Sequence, residues 1–200
     1  MKGEYNIRAI SKGEGDTILK DFHYLSKTQR GWKSGSNWGL FRGEELLGVA
    51  IFTGLPVPEI ARGAFGLERH EQDGLWELSR LCIHPNIQGV EHNIAGWFLA
   101  RAIRQLCRSE RVRSILSYAD DDHHSGTVYA ATGWKYYGLT EARSDFWYKL
   151  ADGTYKKHSR GKVKGIAGEW RPRSRKHRFL KIFDPTLIVR WTEQKWENCV

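Results

Sequence analysis

From Leu75 to Ala119 the chain runs strand, helix, strand, and that succession limits its fold more than any other feature. Leu75–Ile83 reads as a strand and stops at His84-Pro85. Asn93–Arg108 places Trp97, Phe98, Ala102, Ile103 and Leu106 on one stripe, with Arg101, Arg104, Gln105 and Arg108 mostly outside it, which predicts an amphipathic helix. Ser114–Ala119 is a short apolar strand running into Asp120-Asp121-Asp122. Around this unit, Tyr5–Ser11 alternates weakly as a strand, and Ile18, Leu19, Phe22 and Leu25 give Glu14–Leu25 helical spacing. Trp38–Arg42 and Glu45–Thr53 are strands joined at Gly43-Glu44, the second ended by Pro56 and Pro58. Ser125 is placed to cap a short helix, Gly126–Thr132, that Gly133 ends. Further strands are expected at Trp134–Leu139, Phe146–Leu150, Phe179–Phe183 and Leu187–Trp191. Strands alternating with helices predict an α/β chain, a mixed sheet flanked by helices.

Charge divides this chain into a body at 1–150 and a basic C-terminal extension at 151–200, packed on the same domain. The extension holds 13 Lys plus Arg against 5 Asp plus Glu, leaving 19 basic and 18 acidic groups for the body. Eleven of those cations and one acid, Glu169, fall between Tyr155 and Lys181, with Trp170 and Phe179 interleaved. Such a pattern predicts a phosphate-backbone binder, so double-stranded DNA is the expected partner, through Lys156, Lys157, Arg160, Lys162, Lys164, Arg171, Arg173, Arg175, Lys176 and Arg178. Pro172 and three glycines in that stretch argue for a loop or hairpin over a long helix. No run of 18 apolar residues exists to span a membrane, and MKGEYNIRAI lacks a signal peptide's apolar core, so a cytoplasmic location is expected. Cys82, Cys107 and Cys199 have no CxxC spacing, which excludes a disulfide framework and a cysteine-built zinc site. Oligomeric state is left open.

Strict alternation along Leu75–Ile83 puts Trp76, Leu78, Arg80 and Cys82 on one face and Glu77, Ser79, Leu81 and Ile83 on the other. Polar groups on both faces of a central strand need buried partners or a site. Arg80 is a candidate for binding a phosphate or carboxylate and Ser79 for hydrogen-bonding an acyl oxygen; the alternative is a Glu77–Arg80 network holding the sheet. Trp32 and Trp38 flank the GWKSGSNWG loop, where they either stack on an extruded base or pack in the core.

LCIHPNIQGVEHNIAGWFLARAI, a strand ending in His-Pro followed by a loop and a helix, and VYAATGWKYYG resemble the GCN5-related N-acetyltransferase fold. That resemblance implies acyl-coenzyme A beside Cys82, its pyrophosphate on backbone N–H groups of Asn93, Ile94, Ala95 and Gly96, with Tyr129 protonating the leaving thiolate. Tyr129 as a core residue is the other reading, as is Cys82 as a small buried hydrophobe. The loop from Asn86 to Gly96 departs from the superfamily's tight glycine-rich signature, having only Gly89 and Gly96.

FHYLS at 22–26, WELSRLCIHP at 76–85, SYADDDHHSGTVYAATGWKYYGLT at 117–140 and KHRFLKIF at 176–183 are similar to the Mom family of bacteriophage DNA-modification proteins. The resemblance implies conversion of adenine in duplex DNA to N6-carbamoylmethyladenine, which blocks restriction. It also implies iron held by His23, Tyr24 and Asp120. The product joins nitrogen to the carbon beside a carbonyl, a bond that simple acyl transfer does not make. Without the resemblance, His23 is a histidine favoured at a helix C-terminus and Tyr24 is core packing. His123 and His124 read as a solvated loop, with His124 a possible substrate contact. Two rivals stay open: an acyl-CoA-dependent N-acetyltransferase acting on a small amine, tRNA or protein, and a non-catalytic DNA-binding protein on the same fold.

Overall fold

A computed structural model describes residues 4–24, 31–158 and 163–197. Arg160 and Lys162, together with Leu25 and Ser26, lie outside the described residues.

The first strand, β1 (Tyr5–Ala9), leads into helix α1 (Lys12–Phe22). Ser11 starts α1 earlier than the apolar spacing predicts, through a reciprocal cap: its hydroxyl accepts the Glu14 N–H at 3.2 Å and the Glu14 carboxylate accepts the Ser11 N–H at 2.8 Å. Strands β2 (Ser36–Arg42) and β3 (Glu45–Gly54) form a hairpin around Gly43, whose φ of 58° suits a residue without Cβ. A helix that the apolar spacing does not predict follows, α2 (Pro58–Phe65). Pro58, a strand breaker by residue type, stands at the start of that helix, where its missing N–H costs nothing.

Next come β4 (Leu75–Ile83), α3 (Ile94–Ser109), β5 (Ser114–Asp120) and the short α4 (Thr127–Ala131). Gly126, not Ser125, occupies the N-cap of α4; its φ of 85° is a conformation serine adopts only with strain. The remaining strands are β6 (Lys135–Leu139), β7 (Arg143–Lys149), β8 (Tyr155–Lys157), β9 (Gly168–Arg173) and β10 (Lys176–Ile182).

Among the described residues the main sheet has seven strands in the order β1-β2-β3-β4-β5-β10-β6, and β8-β7-β9 make a separate three-stranded sheet. Only the β4–β5 pair of the main sheet is parallel, as a crossover through α3 requires. Helices α1 and α2 cover one face: Ile18 and Leu19 pack on Val49 and Ile51, and Ala61, Ala64 and Phe65 on Leu75, Leu116 and Leu180. Helix α3 covers the other with Phe98, Leu99, Ala102 and Leu106, all fully buried. The β10 strand comes from beyond residue 150 yet lies between β5 and β6, so the sheet is closed by part of the expected extension. Leu187–Trp191 forms no strand; Leu187 packs under α2 and the Arg190 N–H bonds the Ala64 carbonyl at 2.7 Å.

Candidate functional site

Parallel pairing of β4 with β5 runs from Leu75–Ser114 to Leu78–Ser117 and stops, leaving the C-terminal ends of the two strands apart. Open α/β sheets bind ligands at such strand ends. A β-bulge at Ser79 decides what faces the fork. Register against β3 jumps there from Phe52–Leu78 to Ile51–Arg80, and the Ser79 hydroxyl donates to the Ile51 carbonyl at 3.2 Å. The extra residue turns Arg80 onto the face of Glu77, with Cys82, while Leu78 and Leu81 both pack toward α3. Strict alternation, which separates Glu77 from Arg80, therefore fails at this one residue. Arg80 also donates to the Ser79 carbonyl at 2.6 Å.

Onto the same face come the residues that follow α1. His23 ends that helix, its N–H bonded to the Leu19 carbonyl at 3.2 Å. Its ring stacks on Tyr24 at 4.7 Å, and Tyr24 in turn meets His123 at 4.5 Å and His124 at 5.9 Å. Burial, then the charges of Arg80 and His124, lowers the His23 pKa to about 4, so the imidazole is neutral at pH 7. Burial first and the Asp120 charge second push Tyr24 up to about 12, keeping a protonated phenol. Burial raises Glu77, against the opposing charge of Arg80, and pushes Tyr118 up to about 12 with help from Glu77. The fork thus holds a carboxyl, a guanidinium, two phenols and a neutral imidazole, linked electrostatically through Arg80 and Glu77. Glu77 and Tyr118 were not among the expected site residues; the polar residue on each face of β4 was the signal for the first, and nothing marked the second.

Asp120 is tied down. Lys176 and Ser174 both bond its carboxylate, and the Asp122 N–H reaches it at 3.3 Å. Burial alone would raise its pKa, but these hydrogen bonds and the Lys176 charge outweigh it and hold the group below the ordinary aspartate value. The neighbouring Asp121 accepts from His177 at 2.8 Å, and His177 shares a 2.9 Å hydrogen bond with the Tyr136 hydroxyl. The Asp121 N–H bonds the Arg175 carbonyl at 3.0 Å. The acidic turn after β5 is in this way clamped to the β9–β10 connection.

Iron does not fit this arrangement. The Asp120 oxygens already serve an ammonium and a hydroxyl, and the Lys176 ammonium on them repels a cation placed there. Among the described residues no three His, Cys, Asp or Glu side chains are grouped to share an ion.

On the opposite face, Tyr129 is buried against Trp134 and Phe179 and its hydroxyl pairs with Ser117; burial raises its pKa. The Ser117 hydroxyl donates to the Leu78 carbonyl at 3.2 Å, at the last paired rung below the fork. Asn93, exposed with a φ of 53°, opens α3; Ile94 and Gly96 are buried, Ala95 half-buried. A Cβ on Gly96 would stand 2.4 Å from the Asn93 side-chain oxygen and 3.1 Å from Thr132, so glycine permits the contact with α4. The first-turn N–H groups there have no intrahelical acceptors. Cys82 is buried beside α1, its thiol pushed up to about 11 by burial.

Expected DNA contacts fall into two groups. Lys156, Lys157, Arg171 and Arg173 lie on the small sheet, and Lys164 is exposed on the loop leading to β9. Arg175 donates to the Thr140 carbonyl at 2.7 Å and Arg178 to that of Tyr137 at 2.7 Å, so these guanidiniums, like Lys176, have internal partners. Phe179 is fully buried in the core and offers no aromatic contact to a ligand. Trp32 is half-buried on α1, its indole N–H given to Asp16 at 2.6 Å, and Trp38 donates to Ser36 at 3.0 Å. No described helix is long and apolar enough to cross a membrane.

The Mom protein family matches residues 4–190. None of the curated proteins matches the chain. Among solved structures it is similar to the ribosomal-protein-S18-alanine N-acetyltransferase from Escherichia coli, with 12% identity, a TM-score of 0.51 and coverage of 92% of this chain and 99% of that one. An IAA acetyltransferase from Bacillus cereus aligns at 13% identity and TM-score 0.52, over 90% and 99% of the two chains. A Bacillus subtilis acetyltransferase in complex with CoA aligns at 11% and 0.51, over 90% and 98%. The fold is that of the GCN5-related N-acetyltransferases.

Proposed function

Because the chain belongs to the Mom protein family, we propose that it is a transferase that modifies adenine at N6 in duplex DNA, giving N6-carbamoylmethyladenine and so shielding DNA from restriction. The observation carrying this reading is the clamp between fork and small sheet: Ser174 and Lys176, on Asp120, directly follow β9.

The small sheet suits a duplex. Arg143 faces Arg173 across β7 and β9; Arg143 is paired with the exposed Glu141 at 3.1 Å, and the residual opposition of like charges favours an added anion. Arg171 shares that face, stacked 4.3 Å over Tyr155 and 5.1 Å over Trp147, which orients its guanidinium. Lys157 opposes Trp147 on the same face. A phosphate backbone lying there would set the adjoining fork beside the grooves, and the target adenine has to leave the stack to enter it.

At the fork, Arg80 holds an anionic part of the donor and the Tyr24 phenol donates to the base. N6 is a weak nucleophile, its lone pair delocalised into the ring. Forming the new N–CH2 bond displaces from the donor's methylene carbon a leaving group that departs with the bonding pair. It also releases one N6 proton, for which Glu77 and neutral His23 are the acceptors in reach. The solved neighbour with bound CoA supports CoA as the donor for the N-acetyl-transfer reading below, its pyrophosphate on the first-turn N–H groups of α3 at Ala95 and Gly96.

The test is to express the full chain in bacteria, digest genomic DNA and weigh the nucleosides. A deoxyadenosine heavier by a carbamoylmethyl group is expected, and it should disappear in Arg80→Met and Glu77→Gln variants. An unshifted profile from folded protein that binds duplex DNA would reject the chemistry and leave a DNA-binding protein. A second reading, N-acetyl transfer from acyl-CoA to a small amine, tRNA or protein, is favoured by one observation: the protonated Tyr129 phenol beneath the fork. Protection from heat unfolding by acetyl-CoA, with no shifted nucleoside, would select it.

A further inference from the structure

Away from the fork, a concavity of about 200 Å³ opens between β1 and α3. Ile7 and Trp97 form its apolar wall, and Arg101, Arg104, Gln105 and Arg108 line it from α3. Spacings of three and four put the three arginines on one helix face, a row ~10 Å long at 1.5 Å per residue. The Arg101 guanidinium lies 3.8 Å over the Trp97 ring, which holds it toward the opening. Among the described residues none of the three has a carboxylate partner, whereas Arg42 is paired with Glu45, Arg62 with Glu68 and Arg111 with Asp73. The nearby Glu4 and Glu91 act on the Tyr5 hydroxyl instead. Three like charges converging on one hollow repel each other, and a multiply charged anion turns that repulsion into attraction.

We propose that this hollow binds a small phosphate ester, with the phosphate on Arg104 and Arg108, reinforced by Arg101, and the organic part against Ile7 and Trp97 within reach of the Gln105 amide. Guanidinium forks match phosphate oxygens in pairs. The volume is below the ~300–1,000 Å³ of ordinary small-molecule sites, which restricts the occupant to a compact ester rather than a dinucleotide. The site does not depend on the modification chemistry: Arg101 is five residues along α3 from Gly96, about 7.5 Å along the helix axis from the proposed CoA anchor.

The full chain is titrated with pyrophosphate, AMP and, as a phosphate-free control, adenosine, following both heat release and Tm. A double variant, Arg104→Ala with Arg108→Ala, changes two exposed side chains and leaves the core of α3 alone. AMP at saturation should raise Tm by about 3–6 °C, adenosine should not, and the double variant should lose the shift. No response to either phosphate probe at millimolar concentration overturns the proposal. So does an equal shift in the double variant, which places the anion elsewhere. If the double variant instead loses tenfold or more in duplex affinity while AMP fails to bind either protein, the arginines serve nucleic acid and the ester site is rejected. The nucleoside mass profile is read separately, so failure here and failure of the modification chemistry are distinguishable.

Discussion

On either side of Ser174 the same cationic composition has two physical fates. Upstream, Lys157, Arg171 and Arg173 sit on a three-stranded sheet whose side chains face solvent, and their carboxylate partners, Asp145 for Lys157 and Glu169 for Arg171, are themselves partly exposed. Downstream, Lys176, Arg178 and Lys181 lie on a strand inserted between two others, directing their charge to Asp120, to the carbonyls of Tyr137 and Leu139, and to that of Thr132. The Arg178 guanidinium also lies 4.6 Å over Trp191. Exposed cations keep their hydration and remain open to a polyanion; enclosed ones have given it up and must be paired to be tolerated. Composition cannot separate the two, because the distinction comes from which strand pairs with which.

The largest expected effect tests the enclosed group. Lys176→Met leaves the buried Asp120 carboxylate without its counter-charge, a destabilisation of roughly 3 kcal/mol, or about 6–12 °C in Tm for a chain of this length. The pH dependence should change with it. Asp120 has a depressed pKa in the folded protein, so its ionised form contributes stability above the unfolded value and that contribution is lost as pH falls through the folded one. Thermal melts between pH 7 and pH 3 should therefore show a steeper acid loss in the wild type than in the variant. A Tm within a degree of wild type at pH 7 would mean the ion pair is not formed in solution. Next in size, Arg178→Ala removes charge-assisted bonds to two carbonyls and the cover over Trp191, for about 2 kcal/mol, with duplex affinity unchanged; a protein of normal stability that no longer bound DNA would move Arg178 to the exposed group.

Legibility in the sequence varies by element for physical reasons. Strands β4 and β5 and helix α3 are legible because each has one solid apolar periodicity and a clear end, His84-Pro85 for the first. The α2 helix is not, since Pro58 at a helix start and Pro56 before it look like strand breakers until the downstream Ala61, Ala64 and Phe65 find their core. The Ser79 bulge is invisible to any reading based on a period of two, and it is what brings Arg80 to Glu77. Tyr24 stacks on His23 and feels the charge of Asp120, but the partners that occupy Asp120 sit more than fifty residues away and belong to a stretch that reads as DNA-binding. Long-range strand pairing leaves no local signature, which is why the insertion of β10 and the Tyr136–His177–Asp121 chain have no trace in the sequence.

The exposed group is tested by Lys157→Ala, Arg171→Ala and Arg173→Ala together. Deleting three phosphate-binding cations should make the slope of log affinity against log salt shallower by about 2.7 and weaken affinity most at low salt. Tm should move by less than 2 °C, within the ordinary range for exposed substitutions. Gel-shift titrations at three salt concentrations measure the first two, and a thermal melt the third. An unchanged slope would remove the small sheet from the DNA interface.

The smallest effect is also the one that resolves the two faces of that sheet. Trp170 is 61% exposed and pairs with Phe146 on the face away from Arg171, with which it makes an edge contact at 5.4 Å. If the duplex lies on the arginine face, Trp170→Ala costs part of one aromatic contact, roughly 0.5–1 kcal/mol of stability, and leaves duplex affinity within twofold. Single strands supply a built-in comparison, because base stacking on an exposed indole is worth about 1–3 kcal/mol per base. A variant that keeps its grip on duplex but loses single-stranded DNA tenfold would assign the aromatic face to the displaced strand. A tenfold loss on duplex itself would reverse the orientation, putting the aromatic face against the grooves and turning Arg143 and Arg173 outward.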